Sequence, residues 1–385
     1  MEELSNPYRP GAGTSPPALL GRDALVDHFG VAVRRALAGR PGKAVMPIGL
    51  RGVGKTVLLN RFAEIAEQEG MAVGFIEAPE QGDLRVALAN RVRRILLRLD
   101  RTPGERVLKA LRVLKTFTAQ LPDGTRLSLD VDLLPGYADS GDLSEDLTDL
   151  LVAVGEAARS RGSGVLLAID EVQYLSPGEL AAVITAIHRT TQLSLPVLLV
   201  GAGLPQLPGL AGAAKSYAER LFEFPEIGSL DPGDARAALL IPAQAQGVDF
   251  TDGALDLIGA ATGGYPYFLQ EWGYHLWNAT DSSPVTAEDV QHAQPAVIEH
   301  LDRNFFAVRF DRLTPKEKHY LQAMADLGPG PHRSGDIATH LGVRVETVAP
   351  RRSALITKGM IYSPAHGDTA FTVPLFDQFL RRTLP

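Results

Sequence analysis

The stretch GLRGVGKT, Gly49 to Thr56, has the spacing G-x-x-x-x-G-K-[ST]. Glycines at these intervals let successive backbone N–H groups turn inward around phosphate oxygens, and the dipole of a following helix adds to the attraction. The phosphate-holding set is then Gly49, Leu50, Arg51, Gly52, Val53, Gly54, Lys55, Thr56 and Val57. Lys55 reaches the terminal phosphates and the Thr56 hydroxyl binds Mg²⁺. An acidic pair, Asp170 and Glu171, follows the apolar run VLLAI. Buried strands of parallel sheets end at the ligand crevice, so Asp170 supports the Mg²⁺ shell beside Thr56. Glu171 orients or deprotonates an attacking water. The cofactors implied are ATP and Mg²⁺, and the reaction implied is ATP hydrolysis to ADP and phosphate.

Around these groups the chain supplies the elements to hold them. KAVMPIGL (Lys43–Leu50) is an apolar run feeding the glycine turn, TVLLNRFAEIAEQEG is an amphipathic helix with a glycine stop, and MAVGFIEA is the next strand. GVLLAI and LPVLLVG read as two more buried strands, with helices at Glu145–Ser160 and Gly178–Thr191. Strand, turn, helix, strand in this order argues for an α/β parallel sheet. Two helices broken at Thr102–Gly104 are expected between Leu84 and Lys115, and the alternation of LSLDVDL (Leu127–Leu133) predicts a strand. From about Asp231 the strand signal fades and helices dominate.

Bulk properties set limits. At 385 residues two or three domains are expected. With no cysteine, disulfides, thiolate zinc sites and cysteine nucleophiles are excluded, which fits a reducing cytoplasm. The polar, proline-rich start lacks the apolar run of a signal peptide, and no apolar run approaches a membrane span. A soluble, cytoplasmic protein without membrane contact is expected. The net charge of −7 does not advertise nucleic-acid binding for the chain as a whole. The nine histidines show no metal-ligand spacing, and there is no G-x-S-x-G nucleophile elbow.

With the lysine loop and the DE strand in hand, the chain resembles the AAA+ ATPases of the origin-recognition-like class and the related STAND signalling ATPases. The resemblance implies a P-loop NTPase (AAA+/ASCE) parallel-sheet core with a helical lid and a C-terminal winged-helix domain. It divides the chain into an N-terminal arm (1–18), a nucleotide-binding core (19–230), a lid (231–312) and the winged helix (313–385). LLGRD resembles the N-terminal box, which puts Arg22 near the adenine. SYAERLFEFPEIGSL resembles the segment with the arginine finger and last core strand, which makes Arg220 a catalytic charge, usually offered to a neighbouring subunit of a nucleotide-dependent homo-oligomer. Two departures point to slow hydrolysis. LLVGAGLPQL ends in Gly201, Ala202 and Gly203 where the family has a polar γ-phosphate sensor, and Gln206 is the nearest polar candidate. TGGYPYFLQ has no lid arginine and instead resembles the STAND G-x-P element, with Pro266 packing near the adenine.

Three further features carry open readings. Six aromatics crowd Thr262 to Trp277; Tyr265, Phe268, Leu269, Trp272 and Leu276 mark one helical face, which argues for core rather than base stacking. Ten basic residues between Arg85 and Lys115 face only two acidic ones. They pair within the molecule, with Asp130, Asp132, Asp139, Asp142, Glu145, Asp146 and Asp149 close by, or they meet DNA or an acidic partner. Residues 313–385 carry nine basic and six acidic side chains, and read as three helices and a hairpin around His366-Gly367-Asp368. In a winged helix-turn-helix the second helix of the turn enters the major groove, so Arg344, Thr347, Arg351, Arg352 and Lys358 are the candidates to face double-stranded DNA. Such modules also dock proteins. Two functions stand: a DNA-binding ATPase switch, or a signalling or defence switch whose C-terminal module binds a protein partner.

Overall fold

The apolar runs become the middle layer of a three-layer sandwich. The computed structural model describes residues 1–11, 13–40, 42–80, 82–99, 104–119 and 129–383. Strands β1 (Ala44–Val45), β2 (Met71–Glu77), β3 (Gly164–Asp170), β4 (Val197–Gly201) and β5 (Phe222–Glu223) form one parallel sheet in the order β2-β3-β4-β1-β5. β3 is buried along its whole length, which is why it reads as an unbroken apolar run rather than an alternating one. β1 is shorter than its apolar run because Pro47 has no N–H for the ladder; pairing resumes at Ile48, which bridges Gly203 and Glu226.

Alternate residues of β3 serve opposite cores. Leu166 and Ala168 pack with Phe29, Leu58 and Phe62 from helices Asp23–Leu37 and Lys55–Gln68. Val165, Leu167 and Ile169 pack with Leu147, Leu150 and Ile184 from helices Leu143–Ser160 and Pro177–Gln192. The second core also takes the inner faces of the basic helices Leu84–Leu99 and Glu105–Ala119, through residues such as Leu88, Ile95 and Leu114. Among the described residues, their outer charges form ion pairs with acids other than those expected. Arg106 and Lys109 pair with Glu156, and Arg98 with Glu67. Asp139, Asp146 and Asp149 instead accept backbone N–H groups of the preceding turns, and Asp142 caps the helix that follows. Arg101 lies outside the described residues. So do Leu127 and Ser128 of the expected strand, and the remainder of that segment forms none.

Beyond the sheet, helices Pro232–Gln244, Asp252–Thr262, Pro266–Ala279 and Ala287–Leu301 follow, the last running through a π-helical turn, Asp302–Ala307, into Val308–Phe310. Then come helices Pro315–Asp326, Ser334–His340, Val345–Thr357 and Phe376–Thr383, with a small sheet of β6 (His332–Arg333), β7 (Ile361–Tyr362) and β8 (Asp368–Phe371). β8 is central and antiparallel to both neighbours. The hairpin is where the sequence puts it; β6 is too short to leave a pattern. Helix Val345–Thr357 continues past Pro350 without a break.

The aromatic cluster is core. Tyr265, Phe268, Leu269, Trp272, Leu276 and Trp277 are all buried, and they share one contiguous core with the lysine-loop helix. The N-terminal arm is strapped across helices Pro266–Ala279 and Pro232–Gln244: Trp277 Nε1 donates to the Glu2 carbonyl, Asn6 to the Tyr274 carbonyl, and the buried Tyr8 hydroxyl to the Leu239 carbonyl at 2.6 Å. Gly273 makes room, since a Cβ there would lie 2.5 Å from the Tyr8 ring. Gly273→Ala is therefore expected to lift the arm. Limited proteolysis should then cut within residues 1–20 while the rest of the chain resists; an arm as protected as in wild type contradicts this packing.

Candidate nucleotide site

The lysine loop bridges β1 and helix Lys55–Gln68, with Gly52 and Gly54 at φ of +89° and +91°. A side chain is strained at such angles. At Gly52 it would also collide, since a Cβ would sit 3.1 Å from Tyr265 and 3.2 Å from Tyr267. Lys55 opens the helix, buried, and its Nζ donates to the Gly49 and Leu50 carbonyls at 3.0 and 2.9 Å. Burial pulls the Lys55 ammonium down, against the upward pull of Glu171 and Asp170. Gly49 and Leu50 thus present carbonyls to the lysine, while Arg51, Val53 and Val57 line the cavity with it.

The acidic pair arrives from the end of β3. Asp170 is buried and its Oδ2 accepts the Thr56 hydroxyl at 2.5 Å, so the two expected metal-shell groups touch. Burial pushes the Asp170 carboxyl up, and the Thr56 bond pulls it back. Its Oδ1 accepts the Glu171 N–H at 2.8 Å. Glu171 holds a left-handed φ of 52°, a conformation that costs a residue with a Cβ about 1 kcal/mol or more. This turns its carboxylate into the cavity. There it accepts from Gln173 Nε2, while Gln173 Oε1 accepts the Leu204 N–H at 3.0 Å.

Gln173 is a group the sequence reading missed. Gly203 admits it, since a Cβ at 203 would lie 2.8 Å from Gln173 Oε1. Gly203, one of the residues that read as a missing polar sensor, thus leaves the space into which a polar group from the turn after β3 is inserted. Gln206 does not line the cavity, and its buried Oε1 has no hydrogen-bond partner among the described residues.

Segments far along the chain close the cavity. Tyr267 N–H donates to the Gly52 carbonyl at 3.2 Å, and the Tyr265 hydroxyl donates to the Arg51 carbonyl. Arg51 N–H donates to the Thr372 carbonyl at 3.1 Å, and its guanidinium packs against Gly359. Arg51 Nη2 donates to the Tyr174 hydroxyl at 2.5 Å, but its buried Nε has no partner among the described residues. The cavity, about 790 Å³, is lined by Arg51, Lys55, Arg309, Arg312, Lys358 and Glu171 among others. Burial pulls the Arg309 guanidinium down, and repulsion from Arg51 adds to that, with Arg312 lowering it further. With Arg9 and Arg22, seven cationic side chains thus share a space whose volume suits a nucleotide. Crowded like charges with an unpaired buried donor are what a polyanion neutralises.

The other expected site residues fall in three places. Arg22 and Pro266 line the same cavity; Arg22 donates to the Gly228 carbonyl at 2.5 Å, and burial pulls its guanidinium down against Asp234. Arg220 is exposed on the short helix Ala218–Leu221, away from the cavity. In the C-terminal module Arg344 and Thr347 are exposed and Arg351 is half-buried. Arg352 is tied to Ser363, Asp368 and Thr369 of the hairpin, and Lys358 pairs with Glu317 at 2.8 Å beside the cavity. These last two are therefore committed inside the molecule and do not face outward as expected.

A parallel sheet with a lysine loop after β1 and an acidic pair after β3 defines a P-loop nucleotide-binding core. Residues 18–200 match the AAA ATPase domain family. Residues 303–380 match a domain of unknown function (DUF8462). Among solved structures, the Walker-type ATPase PABY2304 of Pyrococcus abyssi is similar over 97% of this chain and 98% of its own, at 16% identity and a TM-score of 0.59. The RuvB Holliday junction branch migration motor of Thermotoga maritima (15% identity, 95% and 96% covered, TM-score 0.47) is more distant. So is the Orc1 protein of Aeropyrum pernix in complex with DNA (19%, 96% and 94%, 0.46). No curated protein matches the sequence. No helix among the described residues is long and apolar enough to cross a membrane.

If the convergent cations hold phosphate, Arg309→Gln is expected to weaken an ATP analogue with Mg²⁺ about tenfold, a loss of about 1.4 kcal/mol. AMP, with no terminal phosphates, should be little affected. Calorimetric titration reads both. An ATP affinity equal to wild type would mean that Arg309 does not meet the nucleotide.

Proposed function

We propose that the chain is an ATP-gated AAA+ switch of the origin-recognition-like type, slow in hydrolysis, which binds double-stranded DNA through a winged-helix module. Its parts are the arm (1–18), core (19–230), lid (231–312) and winged helix (313–385). The observation that carries the reading is that Arg309, Arg312 and Lys358, from the far end of the chain, share one cavity with Lys55 and Glu171. A nucleotide there touches core and C-terminal module together, so its phosphates set how the module is held. Lys55 contacts the terminal phosphates, Thr56 and Asp170 hold Mg²⁺, Glu171 positions water, and Arg22 and Pro266 flank the base. Arg220, exposed and distant from its own cavity, is offered to a second copy in a nucleotide-dependent homo-oligomer. The bond from Gln173 restrains Glu171, which supports slow turnover.

Support for DNA comes from the posture of helix Val345–Thr357. Its C-terminal end faces the cavity, while Arg344, Thr347 and Arg351 lie on its N-terminal half, outward. That half is the one that meets base edges in a helix-turn-helix. Protein docking has an observation of its own. With Arg352 and Lys358 engaged internally, the exposed apolar Val343 and Val345 flank Arg344, a mixed surface that suits a protein.

Lys55→Ala should abolish nucleotide binding, and Glu171→Gln should keep it while lowering turnover about a hundredfold. Unchanged turnover in Glu171→Gln removes the water-positioning role. Duplex DNA should bind more tightly with an ATP analogue than without, measured by fluorescence anisotropy at low salt, and Arg344→Ala with Arg351→Ala should weaken it and flatten its salt dependence. Absence of binding in every nucleotide state at low salt overturns the DNA reading and leaves the protein-docking one.

A further inference from the structure

Behind the nucleotide cavity, on the face of helix Pro266–Ala279 that meets helix Ala287–Leu301, two histidines and a carboxylate converge. Glu271 and His275 are one helical turn apart on the first helix, and His300 comes from the second. Glu271 Oε2 lies 3.6 Å from His275 Nε2 and 3.8 Å from His300 Nε2, and one ligand atom from each of the three lies within 4.8 Å of the others. Neither pair is close enough for a hydrogen bond. His275 Nε2 is buried, with Glu271 Oε2 beside it at 3.6 Å but no hydrogen-bond partner among the described residues. A buried ring nitrogen without a partner is costly, and native structures rarely leave one so.

The surroundings point each group at the same spot. Glu271 is nearly fully buried, and its other oxygen, Oε1, accepts the Tyr267 hydroxyl at 2.5 Å, which fixes the carboxylate and leaves Oε2 aimed at the two rings. The far nitrogen of His300, Nδ1, sits 3.1 Å from Asn304 Nδ2, an amide whose oxygen and nitrogen exchange places by a half-turn. Turned to present its oxygen, that amide accepts Nδ1–H and leaves the Nε2 lone pair facing the cluster, the outer contact that metal-bound histidines use. The two imidazoles lie at 60° with centroids 4.3 Å apart, so they converge rather than stack. His300 is part-exposed, which leaves a path for an ion and a place for water as a further ligand.

We infer that Glu271, His275 and His300 form a divalent transition-metal site, best suited to Zn²⁺, that clamps the two helices together. Two neutral imidazoles and one carboxylate are a donor set that zinc takes, and ligand atoms around a tetrahedral zinc stand about 3.3 Å apart. The two carboxylate–imidazole distances, 3.6 and 3.8 Å, need close by only a few tenths of an ångström, and the two imidazole nitrogens, within 4.8 Å of each other, draw together by side-chain rotation. The site differs from the Mg²⁺ position at Thr56 and Asp170, where the donors are all oxygen. Its link to that region is Tyr267, which bonds Glu271 through its hydroxyl and the Gly52 carbonyl through its backbone. Zinc here would stiffen the helix that touches the lysine loop.

The test uses the full chain after chelator treatment and dialysis. Zn²⁺ titration by calorimetry should show one site per chain and a raised melting temperature, with Mg²⁺ producing neither; Co²⁺ should give the visible absorption of a low-coordinate site. His300→Gln and His275→Gln should each lower zinc affinity about a hundredfold, and Asn304→Ala about tenfold. His300 is part-exposed, so its variant should fold, and circular dichroism verifies that. No zinc binding at micromolar concentration overturns the inference. So does binding that survives in His300→Gln and His275→Gln alike, which would place the ion on other histidines. None of these readouts involves ATP, so the inference stands or falls apart from the nucleotide reading.

Discussion

The backbone of the lysine loop is the constraint on which the rest of the structure depends. Its peptide groups are held from three sides. Gly49 N–H donates to the Gly203 carbonyl of the segment after β4, Arg51 N–H to the Thr372 carbonyl after β8, and the Gly52 carbonyl accepts from Tyr267. Apart from the bonds of Lys55 Nζ to the Gly49 and Leu50 carbonyls, the loop takes its shape from these outside contacts, which on the proposed reading leaves its other N–H groups for phosphate. That makes three distant stretches of chain sensitive to one short turn. Their shared apolar core, from Leu58 and Val200 through Trp272 to Phe379, keeps them in register.

The same economy of space governs the acidic edge. β4 ends in small residues, which looks like a loss of function when the strand is read alone. In the fold, Gly203 is the gap through which Gln173 reaches both the Leu204 backbone and Glu171. On the proposed reading this restrains the water-positioning carboxylate until nucleotide rearranges it, and the strained φ of Glu171 is the backbone counterpart of that restraint. Slow turnover then follows from a carboxylate that is held, rather than from a site that lacks parts.

What was legible in the sequence was what local pattern encodes. The lysine loop has a fixed spacing, β3 is an unbroken apolar run, and the aromatic helix shows a helical stripe; each lies where it was read. The charge partners were not legible, because pairing is tertiary. Asp142 and Asp146 sit near the basic helices in sequence, yet turn and cap geometry claims them, and Glu156 one helix away takes Arg106 and Lys109 instead. Arg309, Arg312 and Lys358 gave no signal, since nothing in their spacing places them against a loop roughly 250 positions earlier. Lys358 and Arg352 looked like groove-facing cations because a helix read alone does not say which of its ends is covered. The histidines showed no metal-ligand spacing, because Glu271 and His275 are only two groups on one helix and the third member, His300, arrives through helix packing.

The central claim is that nucleotide on the lysine loop governs the hold of the C-terminal module through shared contacts. Hydrogen exchange of the backbone amides tests it most directly, comparing the full chain with and without an ATP analogue and Mg²⁺. The account predicts slower exchange both in Arg51–Thr56 and in residues 359–372, with both effects lost in Lys55→Ala. Protection confined to the loop, with residues 359–372 unchanged or faster, would contradict it.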